Sequence, residues 1–143
     1  MKRISRSLIL ASVLALSTLA AFADDLAKIE GKWSVKKKNE DGQAFTQVLE
    51  INKDKFKFAM VGGENQTFLY AEGDLKLVKY GPFSAVKFVN IKAGASADQT
   101  ESIDDDHEAI YWLEGDTWTL ATNFDRSRDN QKPTADPYVR AKK

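Results

Sequence analysis

The chain is predicted to fold as an all-β protein, an antiparallel up-and-down barrel of about eight strands behind a short N-terminal helical turn. Three observations predict this. Short runs of alternating apolar and polar residues recur along most of its 143 residues. Turns rich in Gly, Asp and Asn separate these runs. Neighbouring runs are close enough in the chain to pair as hairpins. Period-two alternation turns one face of each run inward. Chain-adjacent hairpins favour a meander, and closing the meander removes the edges that such strands otherwise present.

Residues 1–23 stand outside this pattern. Lys2, Arg3 and Arg6 precede a mostly apolar stretch from Leu8 to Leu19, and Ala21-Phe22-Ala23 is a small-x-small site before Asp24-Asp25. That is the layout of a secretory signal peptide cleaved after Ala23, too short and too weakly flanked for a membrane span. It predicts a secreted or periplasmic protein with no stable membrane insertion after cleavage. The sequence contains no cysteine, so no disulfide framework forms and stability must come from the core. The whole chain carries 21 basic and 21 acidic residues. The leader holds three of the basic ones, which leaves the mature chain at about −3. A mildly acidic domain argues against nucleic acid as a partner. The mature residues 24–143 are enough for one domain with a sizeable core.

Each element follows in order. Asp24 to Glu30 suits one helical turn, with Leu26 and Ile29 three apart. From Gly31 the period becomes two, Trp33 and Val35 alternating with Lys32, Ser34 and Lys36. Asp41-Gly42 supplies a hairpin turn. Phe45, Gln47, Leu49 and Ile51 share the next face, and after Asn52 to Asp54 so do Phe56, Phe58 and Met60. Gly62-Gly63 breaks the pattern before Phe68 and Tyr70, which are taken as inward, leaving Leu69, Val78 and Tyr80 off the inward set. Leu75 to Tyr80 and Ala85 to Ile91 flank Gly81-Pro82. The clearest hairpin joins Ala109–Leu113 to Thr117–Ala121 through Glu114-Gly115-Asp116. Tyr138-Val139-Arg140 forms a short last strand. Two polar stretches, Lys92 to Glu108 and Asn123 to Asp136, are read as long surface loops.

Gly31-Lys32-Trp33, the Asp41-Gly42 turn about ten residues later, Pro82 before Lys87 to Ile91, the Ile110-Tyr111-Trp112-Leu113-Glu114-Gly115-Asp116-Thr117 hairpin and Lys132-Pro133-Thr134 together resemble a family of small secreted bacterial proteins with a lipocalin-like (calycin-type) domain. The similarity spans most of Leu26 to Arg140. Departures are Ala109 for Gly, Trp118 for Leu and Lys132 for Arg. The resemblance implies fold and carries over no activity. It also implies that Gly31 and Trp33 close one end of the barrel, with an Arg from the last strand, here Arg140, laid over the indole. The alternative is a solvent-facing Arg140.

Catalytic patterns are poor. His107 is the sole histidine and lies among Asp104, Asp105, Asp106 and Glu108. A divalent metal or a general base is conceivable there, but consecutive side chains on an extended chain point apart and no calcium-loop spacing is present. There is no nucleophile elbow, no thiol and no Gly-rich phosphate loop. The reading is non-enzymatic, with no cofactor and no metal site. Lys36-Lys37-Lys38 and Asp104-Asp105-Asp106 read as solvated turn flanks, which a protein partner can also recognise.

The aromatic residues are the stronger lead. An eight-stranded barrel either fills its interior with side chains or holds one small ligand. Phe56, Phe58, Met60, Phe68, Tyr70, Tyr111 and Trp118 are the candidate lining of such an interior. Two functions follow. One is a carrier of a small apolar molecule at the end away from Trp33. The other is a protein-interaction module with a filled barrel and functional loops.

Overall fold

The computed structural model describes residues 22–128 and 131–142. The leader expected over residues 1–23 lies outside the described residues except for Phe22 and Ala23, which open a helix. That helix, α1, runs over residues 22–29, about two turns where one was expected. Its last residue, Ile29, is fully buried.

Nine strands follow: β1 (Gly31–Lys38), β2 (Ala44–Asn52), β3 (Lys55–Val61), β4 (Thr67–Tyr80), β5 (Phe83–Ser96), β6 (Gln99–Ser102), β7 (His107–Glu114), β8 (Thr117–Thr122) and β9 (Thr134–Arg140). Eight of them close an antiparallel, lipocalin-like up-and-down barrel. The long pairing of β4 with β5 and the contact of β9 with β1 complete the circle. β6 is the extra strand. It lies along the upper part of the β5 edge that β7 occupies lower down, and the Ile103 N–H donating to Ile91 O at 2.9 Å continues the ladder between them.

The two stretches read as loops are therefore corrected. Lys92 to Ser96 is strand, and β6 folds back on it. Ala93, Gly94, Ala95 and Ser96 carry too little apolar bulk to display an alternation, but β4 offers them backbone partners as far as Tyr70↔Gly94. Likewise β9 starts at Thr134, four residues before the expected strand, because Thr134 to Pro137 pairs with Thr122 to Thr119 of β8. Of that second stretch, the described residues 123–128 and 131–133 stay outside the strands.

Register fixes which side chains enter the barrel. Trp33 pairs with Leu49, Leu49 with Phe58, and Phe58 with Ala71, so the inward set of β4 is Leu69, Ala71, Gly73, Leu75 and Leu77. Tyr70 points outward. A register shift between Met60 and Val61 makes room for Phe68, and this slip is what hides the phase of β4 in the sequence.

The lower half of the interior, beside α1, is filled. Trp33 and Trp118 are fully buried with ring centroids 5.5 Å apart. Tyr111 stands edge-on to Trp118 at 5.9 Å, and Phe56 edge-on to Phe88 at 4.8 Å. Ile29, Ile51, Leu75 and Val86 complete the packing. Each buried indole removes about 150–250 Å² from water, an upper bound of about 4–6 kcal/mol apiece.

Arg140 locks this end. Its guanidinium carbon lies 4.1 Å from the Trp33 ring centroid, inside the reach of a cation–π contact. Its two terminal nitrogens donate to Glu30 O and Lys28 O, both at 2.7 Å, so one cation covers the indole and satisfies carbonyls at the α1 C-terminus. Trp33 Nε1 donates to Ile29 O at 2.8 Å. Gly31 has φ +127°, and a Cβ there would meet Arg140 Nη1 at 3.0 Å. The Gly-x-Trp pattern thus combines a backbone angle that favours glycine, space for the guanidinium and the plug itself.

Candidate functional site at the open end of the barrel

Above the aromatic floor the interior changes character. On β3, β4 and β5 the inward side chains are Phe58, Met60, Leu69, Ala71 and Ala93. All five are only half-buried, although Phe56, one step below Phe58, is buried. Phe58, Ala71 and Ala93 still pack on the core below, but these inward apolar side chains also meet water, which makes the upper half the open end of the barrel and its candidate cup. Phe45 and Phe68 stand edge-on at its rim, 6.0 Å apart.

The opposite wall is polar and is built from β8, β9, β1 and β2. Lys37 Nζ donates to Asp136 Oδ2 at 2.9 Å, and Thr134 Oγ1 donates to the same oxygen at 3.0 Å. Thr122 and Thr134 hydroxyls are 3.3 Å apart. At the base of this wall the Tyr138 hydroxyl donates to Gln47 Oε1 at 2.8 Å. Burial, then the charge of Asp136, holds the Tyr138 hydroxyl protonated well beyond the usual phenol range.

This wall is also the seam of the barrel. β1 and β9 pair through Trp33↔Arg140 and Ser34↔Val139, and just beyond them the Ala141 N–H donates to Lys32 O at 2.7 Å. Above those two pairs the strands are joined by the Lys37–Asp136 side-chain bridge. Pro137, which lacks an N–H to donate, sits where the β1 ladder has ended.

The loop between β8 and β9 is fastened at the same rim. Arg128 donates to both carboxylate oxygens of Asp105, at 3.1 and 3.2 Å, and to Asp125 at 2.8 Å. Arg126 also pairs with Asp105. His107 Nε2 lies 3.3 Å from Asp105, and burial, followed by the charge of Arg128, lowers the His107 pKa from 6.5. Asp105 and Asp125 are engaged by arginines and Glu108 lies 3.7 Å from Lys87, and among the described residues no group of three or more His, Asp or Glu is placed to hold a metal ion.

The candidate lining residues divide into three groups. Phe58 and Met60 line the cup, and Phe68, 52 % exposed, stands at its rim. Phe56, Tyr111 and Trp118 belong to the packed lower half, with Gly31, Trp33 and Arg140 beneath them. Tyr70 is outside the barrel, where its hydroxyl donates to Glu72 at 2.9 Å and its pKa rises to about 12 through burial and that hydrogen bond.

Sequence reading missed Leu69, Lys37, Gln47 and Asp136 as parts of the cup. A signal for Lys37 was present, since it shares the odd-numbered phase of Trp33 and Val35; its place in a lysine run concealed it. Gln47 was already placed on the inward face but not weighed as a polar contact. Asp136 lay in a segment without visible alternation.

Two cavities lie away from this end of the barrel. One, of about 670 Å³, surrounds the β2–β3 turn, where Lys55 pairs with Asp74 and Asn90 Nδ2 donates to Asp74 at 2.7 Å. The other, of about 540 Å³, lies beside α1. Comparison of the chain with protein-family models, with curated proteins and with solved structures finds no match.

Proposed function

We propose that the chain is a secreted or periplasmic, non-enzymatic binding protein that holds a small amphipathic molecule in the open cup. The observation carrying this reading is the half-burial of Phe58, Met60, Leu69, Ala71 and Ala93 on an inward face opposite the Lys37–Asp136–Thr134 wall. An apolar body would rest on the first wall, and a hydroxyl or amide would exchange hydrogen bonds with the second. A few fixed polar groups facing an apolar wall are what orient a ligand in a small pocket. The N-terminal leader pattern supports export, and the resemblance to secreted lipocalin-like domains agrees with it.

The test uses Nile red, a neutral dye whose fluorescence reports an apolar surround, together with native mass spectrometry of protein from its own source. Wild type is expected to enhance the dye and to retain a small molecule. Phe58→Glu, in the cup, is expected to abolish the enhancement, while Val139→Glu, on the outer face, leaves it unchanged. No enhancement and no retained molecule would overturn the reading.

The fastening of the β8–β9 loop to Asp105 by Arg126 and Arg128 favours a second reading, a protein-interaction module. A pre-ordered loop loses less entropy on docking. If the cup binds nothing, Asp105→Ala is the variant to compare in capture of a partner.

A further inference from the structure

At the closed end α1 does not cover the whole rim. Between it and the ends of β4, β5 and β7 lies the cleft of about 540 Å³, within the size range of small-molecule sites. One side of it is polar. Lys79 Nζ donates to Ser84 Oγ at 2.5 Å and lies 3.9 Å from Asp25. Lys28 Nζ lies 3.5 Å from the other oxygen of the same carboxylate. Two ammonium groups therefore share one carboxylate, and the cleft keeps one positive charge in excess. The other side is aromatic. Phe83 and Trp112 line the cleft while 56 % and 44 % exposed. The two residues face each other across β5 and β7 when the register Ser84↔Tyr111 is carried one step further. Nothing in the barrel's own packing uses them.

We propose that this cleft is a second binding site, separate from the cup, for a small molecule that joins a flat apolar ring to a single carboxylate. The carboxylate would sit between Lys28 and Lys79, adding charge-assisted hydrogen bonds where one negative charge is lacking. The ring would lie against Phe83 and Trp112, where offset or edge-to-face contact is favourable. None of these residues lines the cup, so the proposal does not depend on the reading above.

The probe is indoleacetate, followed by amide NMR on the full chain, with tryptophol as its neutral analogue and tryptamine as its cationic one. Indoleacetate at millimolar concentration is expected to shift the amides of Phe83, Ser84 and Trp112, and added salt should weaken it. Tryptophol should bind about tenfold more weakly, the scale of one charged hydrogen bond, and tryptamine should not bind. Lys79→Gln and Lys28→Gln, both at exposed side chains, should each weaken indoleacetate several-fold without altering the remaining spectrum. Phe58→Glu should leave it unchanged. Equal binding of the three probes, shifts confined to the cup, or no shift at all would each overturn the proposal.

Discussion

Trp33 and Trp118 are alike in burial and face each other, yet they differ in one atom's circumstances. Trp33 Nε1 is satisfied by Ile29 O. Trp118 Nε1 is a buried donor without a partner among the described residues. A dehydrated, unpaired N–H works against the folded state, so removing it recovers part of what is lost with the ring. Trp33→Phe should therefore cost about 3 kcal/mol, combining lost volume, an orphaned α1 carbonyl and a weaker surface for Arg140. Trp118→Phe should cost about 1.5 kcal/mol, because the smaller ring also removes the orphan. Urea unfolding of the two variants measures both. Equal losses would mean that Trp118 Nε1 has a partner in the neighbouring rings of Trp33 or Tyr111. At this scale the sequence was legible for Gly31, Trp33 and Arg140, because a Gly-x-Trp pattern and a late Arg are local marks. It was silent on Gln47–Tyr138, whose members are 91 positions apart.

Among elements, β4 and β5 show where reading by alternation succeeds and where it fails. Leu75, Leu77, Val86 and Phe88 display their phase because each inward residue is bulky. Gly73 sits in the inward set with no side chain, so the phase passes through it unseen, and Phe68 and Tyr70 suggest the wrong face. The glycine has a physical cause. β4 and β5 slip in register between Glu72 and Asp74, and a Cβ on Gly73 would stand 2.6 Å from Val89 O and 3.0 Å from Asn90 O. These are backbone atoms of the bulged strand, where Asn90 has φ +53° and is tied to Asp74. Gly73→Ala should thus destabilise by about 2–3 kcal/mol, as overpacking does. Gly63→Ala, with nothing within 4 Å, should be close to neutral. Chemical denaturation of the pair tests this, and a neutral Gly73→Ala would show that the bulge is free to relax. The upper half of β5 and all of β6 were missed for a related reason: small and polar residues at a rim form strand by backbone pairing alone, which no hydrophobic period records.

Over the whole molecule, the barrel's charges and hydroxyls set the pH range in which it is stable. On the alkaline side Tyr138, Tyr70 and Tyr111 all have pKa values raised above 10.0, burial being the largest cause in each. Below that pH both folded and unfolded chains keep these phenols protonated. Above it the unfolded chain ionises first, so stability is lost as pH rises from about 10. On the acid side burial lowers the pKa of His107. The unfolded chain then takes up a proton before the folded one, and stability falls as pH drops below about 6.5. A second decline follows below about pH 4. Asp74 is lowered by its hydrogen bonds from Lys55 and Asn90; at Asp125 burial pulls upward but Arg128 outweighs it. The expected profile of melting temperature against pH is a plateau between about pH 7 and 10 with a shallow first step on the acid side. His107→Gln should remove that step and leave the alkaline limb in place. Tyr138→Phe should keep the acid step, make the alkaline limb shallower without removing it, since Tyr70 and Tyr111 still contribute, and lower the plateau, because Gln47 loses its donor. A step near pH 6.5 that persists in His107→Gln would trace it to another group and separate the rim latch from the acid response of the barrel.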